Sequence, residues 1–214
     1  MSFRFNTALF PIDIVSFVKD LPDLGFVLAE QLIDLPVGPR IELKGPLARK
    51  GALSLLVNSD AMTLGIAAPD LEQLLQTATS IEALLDQTFR LDLPSIMQYY
   101  EFVATMTVKA NQNPLVTNER FAQRLPFLQH ASNIFETPVM PYGLRLAMPG
   151  SQPIGSIWFD FRIEPLVQLA STHYLVEAVY RDPDRHKVTT FAENFPDYTQ
   201  RLLQALERAE GGEG

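Results

Sequence analysis

The chain has 214 residues, 47% hydrophobic and 20% charged, an ordinary globular composition with room for one large or two small domains. It carries 17 basic and 25 acidic residues, and both halves are acidic, with 7 basic and 12 acidic residues up to Leu93 and 10 and 13 beyond it. That balance argues against a nucleic-acid surface, and the lack of cysteine removes disulfides, thiolate nucleophiles, iron–sulfur clusters and cysteine-based zinc sites.

Residues 2–10, "SFRFNTALF", have strand character, and Pro11 opens a short helical pattern in which Ile14, Val15 and Val18 share a face. "FVLAEQLIDL" (26–35) and "PRIELKGPL" (39–47) read as two strands. "GALSLLV" and "AMTLGIA" read as a hairpin across Asn58-Ser59-Asp60, whose polarity also breaks the longest apolar stretch. The N-terminus has no continuous apolar run, because Asp13 interrupts it, so a soluble cytoplasmic protein without membrane contact is expected. "PDLEQLLQTATSIEALLDQTF" is a helix with Asp70 at the cap and Leu71, Leu74, Leu75, Ala78, Ile81 and Leu85 on one stripe.

In the second half, "IMQYYEFVATMTVKA" (96–110) is a long strand with Tyr100, Phe102, Ala104, Met106 and Val108 on one face. "NQNP" ends it, and Thr117 or Asn118 is expected to cap a helix that Pro126 interrupts. "YGLRLAM", "IGSIWFDFRI" and "THYLVEAVYR" are three strands. "TTFAENFPDYTQRLLQALERA" closes the chain as a helix, started either by a Thr190–Glu193 capping box or by Pro196 in the first turn behind Asn194. Phe195, Tyr198, Leu202 and Leu206 share its stripe.

Strands in runs separated from helices give an α+β class with a mainly antiparallel sheet and helices on one side. The halves, 1–93 and 94–209, each read strand, helix, strands, long helix, with a disordered tail over 210–214; they form either two units or one compact domain. This order, twice over, is similar to that of the TATA-binding protein family around its saddle-shaped sheet, and to ferredoxin-like duplications. The helix-grip lipid carriers resemble it through their long C-terminal helix. These resemblances concern architecture and rest on no diagnostic motif.

"SIWFDFRIEPL" (156–166) alternates. Ile157, Phe159, Phe161 and Ile163 face the core, while Trp158, Asp160, Arg162 and Glu164 face the other way. If strands adjacent in sequence are adjacent in the sheet, Arg145, Asp160, Arg162, Glu177 and Arg181 join Trp158 on one surface. That surface is either a solvated face laced with ion pairs or a site where arginines hold an anion or a partner and Trp158 stacks. Coverage of Trp158 by another subunit is expected, since a lone large aromatic among charges needs a use.

Catalytic signals are absent. His130, His173 and His186 lie in three elements without metal-ligand spacing, so no metal is expected. Asp160 and Glu164 project together, but Arg162 between them favours their ionised forms. No phosphate loop, dinucleotide fingerprint or nucleophile elbow occurs, and no cofactor is expected. The leading expectation is a non-enzymatic binding protein engaged in protein assembly, through self-association or another protein. The alternative is a helix-grip carrier of a small apolar ligand lined by Phe102, Met106, Leu144, Phe159, Phe161, Tyr174 and Tyr180. An enzyme of unfamiliar type is the third.

Overall fold

The computed structural model describes residues 2–8, 14–29, 46–58, 63–90 and 97–208. The chain is α+β. Among the described residues nine antiparallel strands lie in the order β2-β3-β4-β5-β1-β6-β9-β8-β7, so two four-stranded stretches flank the central β1. In the first half these are β1 (Ser2–Ala8), β2 (Val27–Leu28), β3 (Pro46–Lys50), β4 (Leu53–Asn58) and β5 (Thr63–Ala68). In the second they are β6 (Tyr99–Lys109), β7 (Leu144–Ala147), β8 (Trp158–Pro165) and β9 (His173–Asp182). Among the described residues five α-helices pack with the sheet: α1 (Ile14–Asp20), α2 (Leu71–Phe89), α3 (Pro114–Gln123), α4 (Pro126–Ile134) and α5 (Arg185–Arg208).

The expected hairpin is β4–β5, paired from Ser54–Ala67 to Asn58–Thr63. The strand reading over 39–47 missed a second hairpin. β3 runs on through Arg49 and Lys50 and turns into β4 across Gly51-Ala52, with Gly51 at φ 58°, a two-residue turn that needs positive φ. Of the strand read over 26–35, only Val27–Leu28 is described as strand; residues 30–45, the start of the first helical pattern and the 210–214 tail lie outside the described residues.

Helix α2 begins as read, with Asp70 Oδ1 accepting from Gln73 N at 2.7 Å. Helix α3 starts three residues before the expected cap. Asn113 Oδ1 accepts from Leu115 N at 3.0 Å, and Pro114 takes the first helical position, where its missing N–H costs nothing. Thr117 and Asn118 are therefore interior and buried. Helix α5 likewise starts earlier than either reading. Asp184 Oδ1 accepts from His186 N at 2.9 Å, and Pro196 lies inside the helix. The burial stripe on both sides of Pro196, Val188, Ala192 and Phe195 before it and Thr199 and Leu203 after it, explains why the helix continues. Tyr198 falls off that stripe and is exposed.

One face of the sheet carries the core. Phe102, Ala104, Tyr174, Val176, Ala178, Phe161 and Ile163 of the second half join Leu55, Leu64 and Ile66 of the first in a single buried cluster, with Phe17 supplied by α1, Leu21 by the 3-10 turn Leu21–Leu24 that follows it, and Leu74, Ile81, Leu85 and Phe195 by α2 and α5. Phe102 and Phe161 meet the Phe195 ring at centroid distances of 5.7 and 5.9 Å. Phe159, expected in the core, is only half-buried, and Ile157 precedes the strand in an exposed bend.

Candidate functional site

Alternation sends the other side chains of β6–β9 and β7 to the opposite face, and the register aligns them. Trp158 pairs with Arg181, Arg162 with both Arg145 and Glu177, and Asp160 with Ala147. All six sequence-picked residues, Trp158, Arg145, Arg162, Asp160, Glu177 and Arg181, thus share one face. Sequence reasoning could place them there because the three strands follow one another in the chain as they do in the sheet.

Register alone would set two guanidiniums, Arg145 and Arg162, side by side. Each turns to an acid instead. Arg145 forks Asp160, Nε to Oδ1 at 2.8 Å and Nη2 to Oδ2 at 2.6 Å, and this hydrogen-bonded carboxylate pushes the arginine's pKa up further. Arg162 reaches along its own strand to Glu164 Oε2 (2.9 Å) and across to Glu177 Oε2 (3.2 Å).

Arg181 is held differently. Its Nε donates to Glu101 Oε2 at 2.9 Å, and its Nη1 donates to the carbonyls of Pro153 and Gly155 at 2.7 and 2.8 Å. Its guanidinium lies 4.3 Å from the centre of the Tyr99 ring. Only 14% of its side chain and 12% of that of Glu101 is exposed. The two carbonyls flank Ile154, which sits at the corner of a turn closed by Gly155 N to Gln152 O at 2.9 Å and is 90% exposed. Glu101, Tyr99 and Ile154 were not among the residues selected from sequence. Glu101 had a visible place on the polar side of its strand, but its partner is set by the β6–β9 register, and the turn contact has no sequence signature.

A second titratable group lies on the helix side, where α2 meets α5. Arg185 Nε donates to both oxygens of Glu82, at 2.9 and 2.7 Å, and its Nη2 donates to Thr79 Oγ1 at 2.9 Å. Burial pushes the Glu82 carboxyl up, and the Arg185 hydrogen bond and charge only partly offset it. Tyr100 beside it is also pushed up, first by burial and then by the Glu82 charge. Among the described residues no group of three histidines or carboxylates is placed to hold a metal, and no helix is long and apolar enough to cross a membrane.

No protein-family model, no curated protein and no solved structure matches this chain.

Proposed function

We propose that the chain is a non-enzymatic binding protein whose partner is another protein, held at the rim that Trp158 and the 152–155 turn form on the open sheet face. Ile154 carries this reading. An exposed isoleucine on a loose loop is unremarkable. Here both neighbouring carbonyls are fixed by one half-buried guanidinium that is itself anchored to Glu101 and Tyr99. A contact residue held in place before binding loses little entropy when the partner arrives. The same geometry weighs against an anion site around Trp158, because Arg145, Arg162 and Arg181 already donate to carboxylates of the chain.

We also infer a duplicated, saddle-like architecture. The mirrored strand order about β1 and β6, and two long helices on one side, support it over a sheet wrapped round a single helix. The carrier reading is the weaker for this reason, and because its candidate lining residues Phe102, Phe161 and Phe159 already meet Phe195 or Phe191 ring to ring.

Site-specific photo-crosslinking tests the proposal. A photoreactive phenylalanine at Ile154, in the cell that makes the protein, should give one discrete protein adduct, and the same group at exposed Glu193 should give none. Matching patterns at both positions would sink the rim as a partner site. Native mass spectrometry of the purified chain separates the carrier alternative, which requires a bound small molecule.

A further inference from the structure

Helix α4 has an apolar stripe that its own fold barely uses. Phe127, Ala131 and Ile134 recur at helical spacing and Phe135 follows at the C-terminal end, yet Ala131 is the only buried residue of the helix. Phe127, Ile134 and Phe135 are exposed to 72%, 65% and 67%. The helix rests on the fold through Ala131, with Leu128 and Ser132 half-buried beside it, and shows two aromatic rings and an isoleucine to solvent. This is the reverse of the usual surface helix, whose apolar stripe faces the core.

We propose that this stripe is a homodimer interface, in which α4 of one copy packs against α4 of a second across a two-fold axis. This proposal is independent of the partner site at Ile154. Two features select a second copy. The first is area. A buried aromatic side chain covers about 150–250 Å², so the three exposed side chains offer about 400 Å² of apolar surface. Leu125 and Met140, exposed beside α4 where a groove of about 560 Å³ runs between it and α3, extend that surface. A standard interface takes about 800 Å² per partner, roughly 450–500 Å² of it apolar.

The second feature is charge. The helix has no acidic or basic residue apart from His130, and one charged side chain, Glu119, lines the groove beside it, in a chain of net charge −8. A basic partner would be drawn to the acidic remainder of the surface. Two copies of the same acidic chain meet with least repulsion where the surface carries least charge, and a two-fold axis puts this weakly charged patch against itself. Such a dimer tightens as salt screens the mutual repulsion of the two copies, whereas a complex with a basic partner loosens.

Sedimentation of the full chain over a range of concentrations and salt is the test. The expected result is a species of twice 24.0 kDa that strengthens with added salt. The double substitution Phe127→Ser/Ile134→Ser should weaken it by on the order of 100-fold or more, the scale of losing central interface anchors. Both positions are exposed, so circular dichroism should match the parent, as should Tm at concentrations where both proteins are monomeric. Ile154→Ser should leave the dimer intact, which separates this proposal from the partner site. Mixing Ile134→Lys with Ile134→Asp protein should restore a dimer that neither forms alone. A parent that stays monomeric throughout overturns the proposal, as does a dimer indifferent to the double substitution. Binding of the monomer to neutral phosphatidylcholine vesicles through Phe127 and Ile134 would also overturn it, in favour of a lipid surface.

Discussion

Arg145 and Arg181 are both ion-paired arginines of the same sheet face, yet their removal should differ by several-fold in cost. The Arg145 side chain is 66% exposed, so Arg145→Ala gives up a water-screened pair and should cost little. Arg181→Ala removes the guanidinium from a half-buried Glu101 and leaves the carbonyls of Pro153 and Gly155 without their donor; a loss of about 2–4 kcal/mol is expected. Arg181→Lys should recover only part, because one ammonium cannot reproduce a planar fork over the Tyr99 ring. Urea denaturation of the three variants checks the order, and equal losses for Arg145→Ala and Arg181→Ala would refute the clamp. Gly143 sets a different limit. A Cβ there would meet Ile163 O at 2.6 Å and Glu164 Cβ at 2.7 Å, contacts with the adjacent strand that cannot swing away. Gly143→Ala should push β7 from β8 and cost about 1–3 kcal/mol. The same denaturation series should rank Phe161→Ala, at about 3–5 kcal/mol, above Phe159→Ala, since only Phe161 is fully enclosed.

At the scale of elements, the α2–α5 contact makes stability depend on pH through Glu82. Its carboxyl is raised above the ordinary 4.5, first by burial, with Arg185 opposing. The folded state therefore binds the Glu82 proton more tightly than the unfolded chain does. The stabilisation this gives is complete below pH 4.5 and is lost as pH rises through the folded value. Glu82→Gln does not titrate, so its stability relative to the parent should improve as pH rises past 4.5. Urea midpoints at a series of pH values would show this, and a relative stability that worsens over the same range would mean that the Arg185 pairing outweighs burial. The elements themselves were largely legible in the sequence. Period-two alternation marked β6, β8 and β9, and Asp70 marked the start of α2. The misreadings differ in cause: a two-residue turn at Gly51 hid the β3–β4 hairpin, Asn113 and Pro114 start α3 by local cap chemistry, and for α5 tertiary packing decided. Thr190 and Pro196 are plausible starts for a helix, but Val188 and Ala192 have core to bury, so α5 begins at Arg185. For the open face, the sequence revealed which side chains share a side. It could not reveal their partners, because Arg181 with Glu101 depends on a β6–β9 register between strands far apart in the chain. The unburied stripe of α4 was legible only as an amphipathic pattern, which sequence alone assigns to the core.

At the scale of the molecule, a broad antiparallel sheet with the described helices on one side, and with none of them on the opposite face, invites comparison with proteins that lay such a face on duplex DNA. The charges here predict that it does not bind. On the strands of the second half the open face carries three arginines, Arg145, Arg162 and Arg181, and each donates to a carboxylate from among Asp160, Glu164, Glu177 and Glu101. A phosphate would have to displace an intramolecular acid at each of these three, against the field of a chain with net charge −8. Ile154 and Trp158 have the apolar character of side chains that wedge between base pairs, but wedging is sustained by the phosphate contacts that bending creates. Electrophoretic mobility shifts at low salt, where attraction is least screened, should show no duplex binding by the parent chain. If self-neutralisation is the reason, a triple variant Asp160→Asn, Glu164→Gln, Glu177→Gln frees Arg145 and Arg162 and removes three negative charges while keeping side-chain shape. It should acquire weak binding that falls steeply as salt is added. Tight, salt-sensitive binding by the parent would refute the argument from paired charges. A triple variant as inert as the parent would place the obstacle in the shape of the face instead.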